Sequence, residues 1–153
     1  MSGPEKVLLV GSNGGHLTQL LALEAWWRER DRTWVTFDTE DARSKLRGER
    51  VHWAYHPTTR NIPNLLRNFV LAFSVLRRTR PDVVVSTGAG VALPFFVLAW
   101  LRRIPTVYLE VYDRLDTATL TGRLCRPFTT LFCVQWEEQR RLYKNAHVIG
   151  SVL

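Results

Sequence analysis

Two cysteines, Cys125 and Cys133, are the whole thiol content of the 153-residue chain. They form no C-x-x-C pair, and no histidine stands at metal-ligand spacing from them. A disulfide scaffold and a zinc site are therefore both set aside. Their neighbours are apolar, so they read as buried reduced thiols. Long hydrophobic runs are also missing. The longest, residues 91–101, is too short to span a bilayer, and the run inside MSGPEKVLLV is too short for a signal peptide. A reducing cytoplasmic setting is expected. No repeat and no low-complexity segment interrupts the chain. Acidic residues are scarce: 14 Asp and Glu stand against 21 Lys and Arg, a net charge of +7. That balance favours an anionic partner: nucleic acid, an acidic membrane or a phosphorylated substrate. The arginines cluster at the ends of apolar segments, as in Arg77/Arg78/Arg80 and Arg102/Arg103. They serve either as favourable charge at helix C-termini or as a basic rim against a membrane. They form no continuous stripe with interleaved aromatics, so no nucleic-acid partner is expected.

What is present is a globular composition, 46% apolar and 23% charged, in a length suited to one domain over residues 1–153. Residues 6–10 (KVLLV) form a continuous apolar run, as in a strand buried on both faces. Further strands are expected at 33–37, 50–55, 82–86, 105–110, 131–134 and 147–149. Helices are expected at 17–30, 40–46, 63–78, 91–103, 120–126 and 136–143. Strand and helix alternate along the whole chain. That order predicts an α/β fold, a Rossmann-like parallel sheet with helices on both faces. Ligands of such sheets lie beyond the carboxyl ends of the strands.

Two glycine turns fall at that edge. The first, GSNGGH (residues 11–16), lacks the lysine of a phosphate-cradling P-loop and the G-x-G-x-x-G spacing of a dinucleotide turn. Asp38 sits where a ribose-binding acid would, which keeps a small NAD-binding domain as an alternative. The second turn, Ser86-Thr87-Gly88-Ala89-Gly90, ends another central strand. Two such turns opening two helices present backbone N–H groups to one cleft and suit a diphosphate. His16 lies at the first helix N-terminus, where the neutral imidazole is favoured. It is either a base for a substrate hydroxyl or a cap that touches phosphate. Glu110 ends the fifth strand and either anchors a sugar hydroxyl or orders the next loop. Arg114 and Arg123 are candidates to neutralise phosphate. His56 is placed to touch substrate, whereas His52 and His147 read as structural. No metal site and no cofactor is expected.

The motifs GSNGGHLTQLL, RNIPNLLRNF, RPDVVVSTGAGVALPFF, Glu110 with Arg114, LTGRL and VQWEE together resemble PssD-type bacterial exopolysaccharide glycosyltransferase subunits. They are similar also to the membrane-anchoring subunit of the eukaryotic two-subunit N-acetylglucosaminyltransferase and, more distantly, to the N-terminal half of MurG. The resemblance covers nearly the whole chain. It implies the acceptor half of a GT-B glycosyltransferase, working as a heterodimer with a separate nucleotide-sugar-binding subunit on a lipid-diphosphate-linked saccharide acceptor. On that footing an inverting transfer is expected, with His16 and Glu110 as catalytic residues. Asn13, Gly14, Gly15, Gly88, Ala89, Gly90 and Arg114 would bind substrate, and Gln135, Trp136 and Glu137 would lie near the cleft or the partner. With no membrane helix in the chain, peripheral contact with the inner face of the cell membrane is expected, through helices 63–78 and 91–103. A non-catalytic scaffold that recruits and activates the partner remains the rival reading.

Overall fold

The computed structural model describes residues 3–111 and 117–152. Seven strands form one sheet: β1 (Lys6–Gly11), β2 (Asp31–Phe37), β3 (Val51–Ala54), β4 (Val83–Gly88), β5 (Thr106–Leu109), β6 (Leu131–Val134) and β7 (His147–Val148). Their order is β3-β2-β1-β4-β5-β6-β7, and every pairing is parallel. All seven fall within or overlap the segments expected to be strands. The helices are α1 (Gly15–Leu21), α2 (Glu24–Trp27), α3 (Glu40–Lys45), α4 (Ile62–Thr79), α5 (Ala92–Leu101) and α6 (Leu120–Cys125).

The continuous runs are explained by burial on both faces. Val7 and Leu9 of β1 pack with Leu17, Leu20, Trp27 and Trp34 on one side. Leu8 and Val10 pack with Val75, Leu76, Phe95 and Phe96 on the other. The chain runs outward from β1 to β3 and then returns to place β4 on the opposite side of β1. The crevice between the carboxyl ends of β1 and β4 is thus the point where strand order reverses, the usual ligand position in open parallel sheets.

Two segments depart from the expected helices. The helix expected over 17–30 is broken into α1 and α2. The Trp27 indole donates to the carbonyl of Leu20 at 2.9 Å, and Leu23 N–H bonds the same oxygen at 3.1 Å. Trp27 also meets Trp34 edge to face at 5.3 Å, so a tertiary contact ends α1. The segment expected as a helix over 136–143 is a short 3-10 turn, Glu137–Arg141. There the Gln139 side chain accepts from the N–H groups of Gln135 (2.8 Å) and Trp136 (3.2 Å) and tightens the entry. The fourth strand also continues two residues beyond the expected end, through Thr87 and Gly88, with Gly88 registered against Gly11. Both cysteines are buried and free. Burial, and then the Glu110 charge, push the Cys125 thiol up to about 12.

Candidate functional site

The first turn follows β1 directly. Gly14 caps α1 at φ +69, a left-handed conformation that suits glycine. His16 then projects toward β4. Its Nδ1 lies 2.8 Å from the carbonyl oxygen of Thr87. A carbonyl only accepts, so Nδ1 carries the proton and donates. The neutral ring then keeps its lone pair on Nε2. Thr87 answers with its own hydroxyl, which donates to the carbonyl of His16 at 2.7 Å. These reciprocal bonds clamp the first glycine turn to the second across the β1/β4 crevice. Gly88, at φ +114, allows the approach. A Cβ there would stand 2.7 Å from the Tyr108 hydroxyl and 3.3 Å from His16 Cε1.

His16, Gly15, Ala89, Gly90 and Glu110 line one cleft of ≈ 470 Å³. It is completed by Gln19 and Thr121 of the motifs GSNGGHLTQLL and LTGRL and by residues without a motif: Thr58, Thr59, Tyr108 and Thr119. Thr58 and Thr59 come from the loop after β3, which α4 holds rigidly. Asn61 caps α4 by accepting from Asn64 N–H at 3.0 Å. The Asn64 amide donates to the carbonyl of Pro57 at 2.9 Å. Asn68 pairs with both the N–H and the carbonyl of Tyr55, at 2.9 and 3.0 Å. The asparagines of RNIPNLLRNF are therefore the one sequence signal for this wall. They recur at helical spacing on the buried side of α4.

Glu110 is fully buried at the floor. Its carboxylate accepts from the Tyr143 hydroxyl, from the Thr119 hydroxyl at 2.9 Å and from the N–H of Val111 at 3.0 Å. Thr119 in turn caps α6, accepting from Gly122 N–H at 3.0 Å. Glu110 thus ties both ends of the 111–119 connection to the sheet, and so holds Thr119 and Thr121 at the cleft. Burial first, and then the bond to Glu110, push the Tyr143 hydroxyl up to about 12. Burial and the Glu110 charge raise Tyr108 as well.

Gln135 is buried beneath the cleft. Its amide donates to the side chain of Gln19 in α1 and, at 3.0 Å, to the carbonyl of Glu110. Gln139 donates to the carbonyl of Val111 at 2.8 Å. The VQWEE motif therefore joins α1, β5 and β6. Trp136 is half-buried beside it, and Glu137 is exposed and paired with Arg140. Asn13 and Gly14 shape the first turn outside the cleft lining. Arg114 lies outside the described residues. Arg123 is exposed on α6. Asp38, the ribose candidate, is held by the Arg43 guanidinium, which lowers its carboxyl below the usual range. The His56 ring lies against Phe37, tilted by 33° at 5.0 Å between centroids. Burial and Arg78 hold the imidazole of His52 below its ordinary value. Among the described residues, no group of His, Cys, Asp and Glu could hold a metal ion.

The outer face of α4 is apolar and uncovered. Ile62, Leu66, Val70 and Phe73 recur at helical spacing and are 48–71% exposed. Trp100 and Leu101 of α5 are exposed as well, and the Arg102 guanidinium lies 4.9 Å over the Phe73 ring. Among the described residues, no helix is long and apolar enough to cross a membrane.

The fold matches that of MurG from Acinetobacter baumannii with a TM-score of 0.79, at 17% identity, over 98% of this chain and 46% of that one. The Rossmann-like sheet therefore matches one half of the GT-B fold. UDP-N-acetylglucosamine 2-epimerase from Rickettsia bellii shares it at a TM-score of 0.72 and 14% identity, over 92% of this chain and 41% of that one. In sequence, the chain is 34% identical over 106 residues to the UDP-N-acetylglucosamine transferase subunit ALG14 of Eremothecium gossypii, covering 60% of this chain and 46% of the relative. It is 24% identical to the human subunit of that name, over 96% of this chain and 82% of the relative. It is 29% identical to a UDP-N-acetylglucosamine–N-acetylmuramyl-(pentapeptide) pyrophosphoryl-undecaprenol N-acetylglucosamine transferase from Halothermothrix orenii, over 88% of this chain and 39% of the relative. The chain thus spans less than half the length of the first and third of these relatives. The family described as oligosaccharide biosynthesis protein Alg14 like matches residues 46–152, more than two thirds of the sequence, and the chain belongs to that family.

Proposed function

We propose that this chain is the acceptor-side half of a split GT-B glycosyltransferase in bacterial polysaccharide biosynthesis, of the exopolysaccharide subunit type. A separate chain binds the nucleotide sugar. The observation that carries the reading is the clamp between His16 and Thr87 at the strand-order reversal. It fixes the tautomer that leaves Nε2 a proton acceptor, in a residue that lines the cleft. In the proposed reaction Nε2 takes the proton of an acceptor hydroxyl. The oxygen attacks the anomeric carbon of the donor sugar with inversion, and the nucleoside diphosphate departs. Glu110 acts here as a positioning residue, because its carboxylate is engaged by Tyr143, Thr119 and Val111.

The acceptor's diphosphate would lie over the first turn of α1 and against the Ala89–Gly90 turn that leads into α5, where Ala92 N–H already bonds the carbonyl of Ala89 and Pro94 has no N–H. No lysine or arginine is among the described residues lining the cleft itself, whereas Arg60 lines the adjoining hollow. Arg114 is the further candidate, as the family resemblance implies. The stripe of α4 with Arg102 suits a peripheral seat on an anionic membrane, apolar side chains in the acyl boundary and guanidinium groups at the headgroups.

The test is reconstitution. The chain and a candidate donor-binding chain from the same source are purified and assayed separately and together. Radiolabelled nucleotide sugars and a polyprenyl-diphosphate saccharide in vesicles serve as substrates. Transfer only when both are present supports the split enzyme. Full transfer by the partner alone overturns it and favours a scaffold.

A further inference from the structure

The cleft does not end at Thr58 and Gly90. A second hollow of ≈ 520 Å³ continues from it and shares Thr58, Thr59, Gly90, Leu120 and Thr121. The lining changes character along the way. Near His16 it is hydroxyl and glycine backbone. Further out it is Ile62 and Leu65 of α4, Leu93 of α5 and Leu124 of α6. Two of the polar side chains in the outer part are already engaged. Asn68 gives both amide atoms to the backbone of Tyr55, and the Asn61 oxygen caps α4. The branched aliphatic side chains between them suit hydrocarbon. Ile62 belongs both to this hollow and to the exposed stripe of α4. The hollow is therefore an apolar passage from the uncovered helix face to the polar cleft, with the Arg60 cation in its lining.

We infer that this passage is a subsite for the hydrocarbon chain of an isoprenoid diphosphate. It takes the units next to the diphosphate and brings the headgroup from the membrane to the His16 cleft. The inference rests on the reading above for the identity of the headgroup. The chain's seat in the groove is a separate claim.

A farnesyl diphosphate analogue with a photoactivatable diazirine in its tail tests it directly on the purified chain, without partner or donor. Adducts are mapped by peptide mass spectrometry, with unlabelled farnesyl diphosphate and inorganic diphosphate as competitors. Labelling of Leu65, Leu93 and Leu124, suppressed by farnesyl diphosphate far more than by inorganic diphosphate, is the expected result. Leu124→Glu changes a half-exposed position and should lower this labelling by at least about tenfold with the thermal midpoint held. Ile62→Glu, more exposed still, serves in the same way should the first variant fail to fold. Labelling confined to Leu66, Val70 and Phe73 overturns the inference, because the tail then stays on the outer face. Labelling that vanishes as a dimer forms on size exclusion also overturns it, because a second copy then covers the groove. Groove labelling without sugar transfer in the reconstituted pair supports the subsite and defeats the transferase reading. Transfer without groove labelling does the reverse.

Discussion

Removing one oxygen, in Tyr143→Phe, should cost a large fraction of the protein's stability. The hydroxyl is buried and makes two close bonds, with a longer contact of 3.5 Å to the Thr119 hydroxyl. It donates to the carboxylate of Glu110, and it accepts from the N–H of Thr119 at 3.0 Å. A hydrogen bond to a charged group contributes about 1.5–3 kcal/mol, and one between neutral groups about 0.5–1.5 kcal/mol. The variant should therefore lose about 2–4 kcal/mol, against a typical total of about 5–15 kcal/mol. With a urea slope of about 2 kcal/mol/M, the unfolding midpoint should fall by about 1–2 M. The same oxygen gives a pH signature. Its folded value, about 12, stands above the ordinary value of 10.0. The folded state thus holds a proton that the unfolded state releases. Its contribution is complete below pH 10 and disappears as the pH rises through about 12. Cys125 and Tyr108 are raised as well and remain in the variant. The alkaline fall of Tyr143→Phe should therefore be shallower than that of the wild type by one group, not absent. Urea titrations at pH 7 and across pH 10–12 measure both effects. A midpoint loss below about 0.3 M at pH 7, or an unchanged alkaline slope, would show that Tyr143 does not hold Glu110 in solution.

Three further perturbations separate the parts of the site. Gly88→Ala meets a φ of +114 and a hydroxyl 2.7 Å from the new Cβ. It should lose about 1–3 kcal/mol by chemical denaturation and should lower transfer through His16. Asn68→Ala orphans the backbone of Tyr55 and should cost about 1–3 kcal/mol. Its calorimetric midpoint should drop by about 2–4 °C for each of those kcal/mol, and the loop carrying Thr58 and Thr59 should loosen. Leu66→Glu with Val70→Glu alters only outward positions, 60 and 71% exposed. Stability should shift by no more than about 0.5 kcal/mol per site, while co-sedimentation with anionic vesicles should be lost. Retained co-sedimentation would remove α4 from the proposed membrane seat.

The central strands were legible because each is a short run buried on both faces and bounded by proline or charge, as DVVVS after Pro81 and TVYL after Pro105, whereas the edge strands β3 and β7 are partly or wholly exposed. The break between α1 and α2 was not. It depends on Trp27 reaching back to Leu20, and an amphipathic pattern carries no sign of that. The two glycine turns could be assigned to one edge from strand alternation alone, and the structure joins them through His16 and Thr87. The wall from Thr58, Thr59 and Tyr108 carries no motif. Only tertiary placement brings those residues in, although the spacing of Asn61, Asn64 and Asn68 hints at what fixes the loop. Glu110 could be located but its engagement could not, because Tyr143 approaches from 33 residues away.

Turnover by His16→Asn in the reconstituted pair is the decisive measurement. Asparagine keeps an N–H where Nδ1 now donates to Thr87, so the clamp can survive while the Nε2 lone pair is gone. A base in proton transfer contributes about 10²–10⁴-fold. The rate should fall by that factor, with the acceptor KM within a few fold and the unfolding midpoint preserved. Turnover within a few fold of wild type would contradict the assignment and leave His16 a structural clamp between two turns.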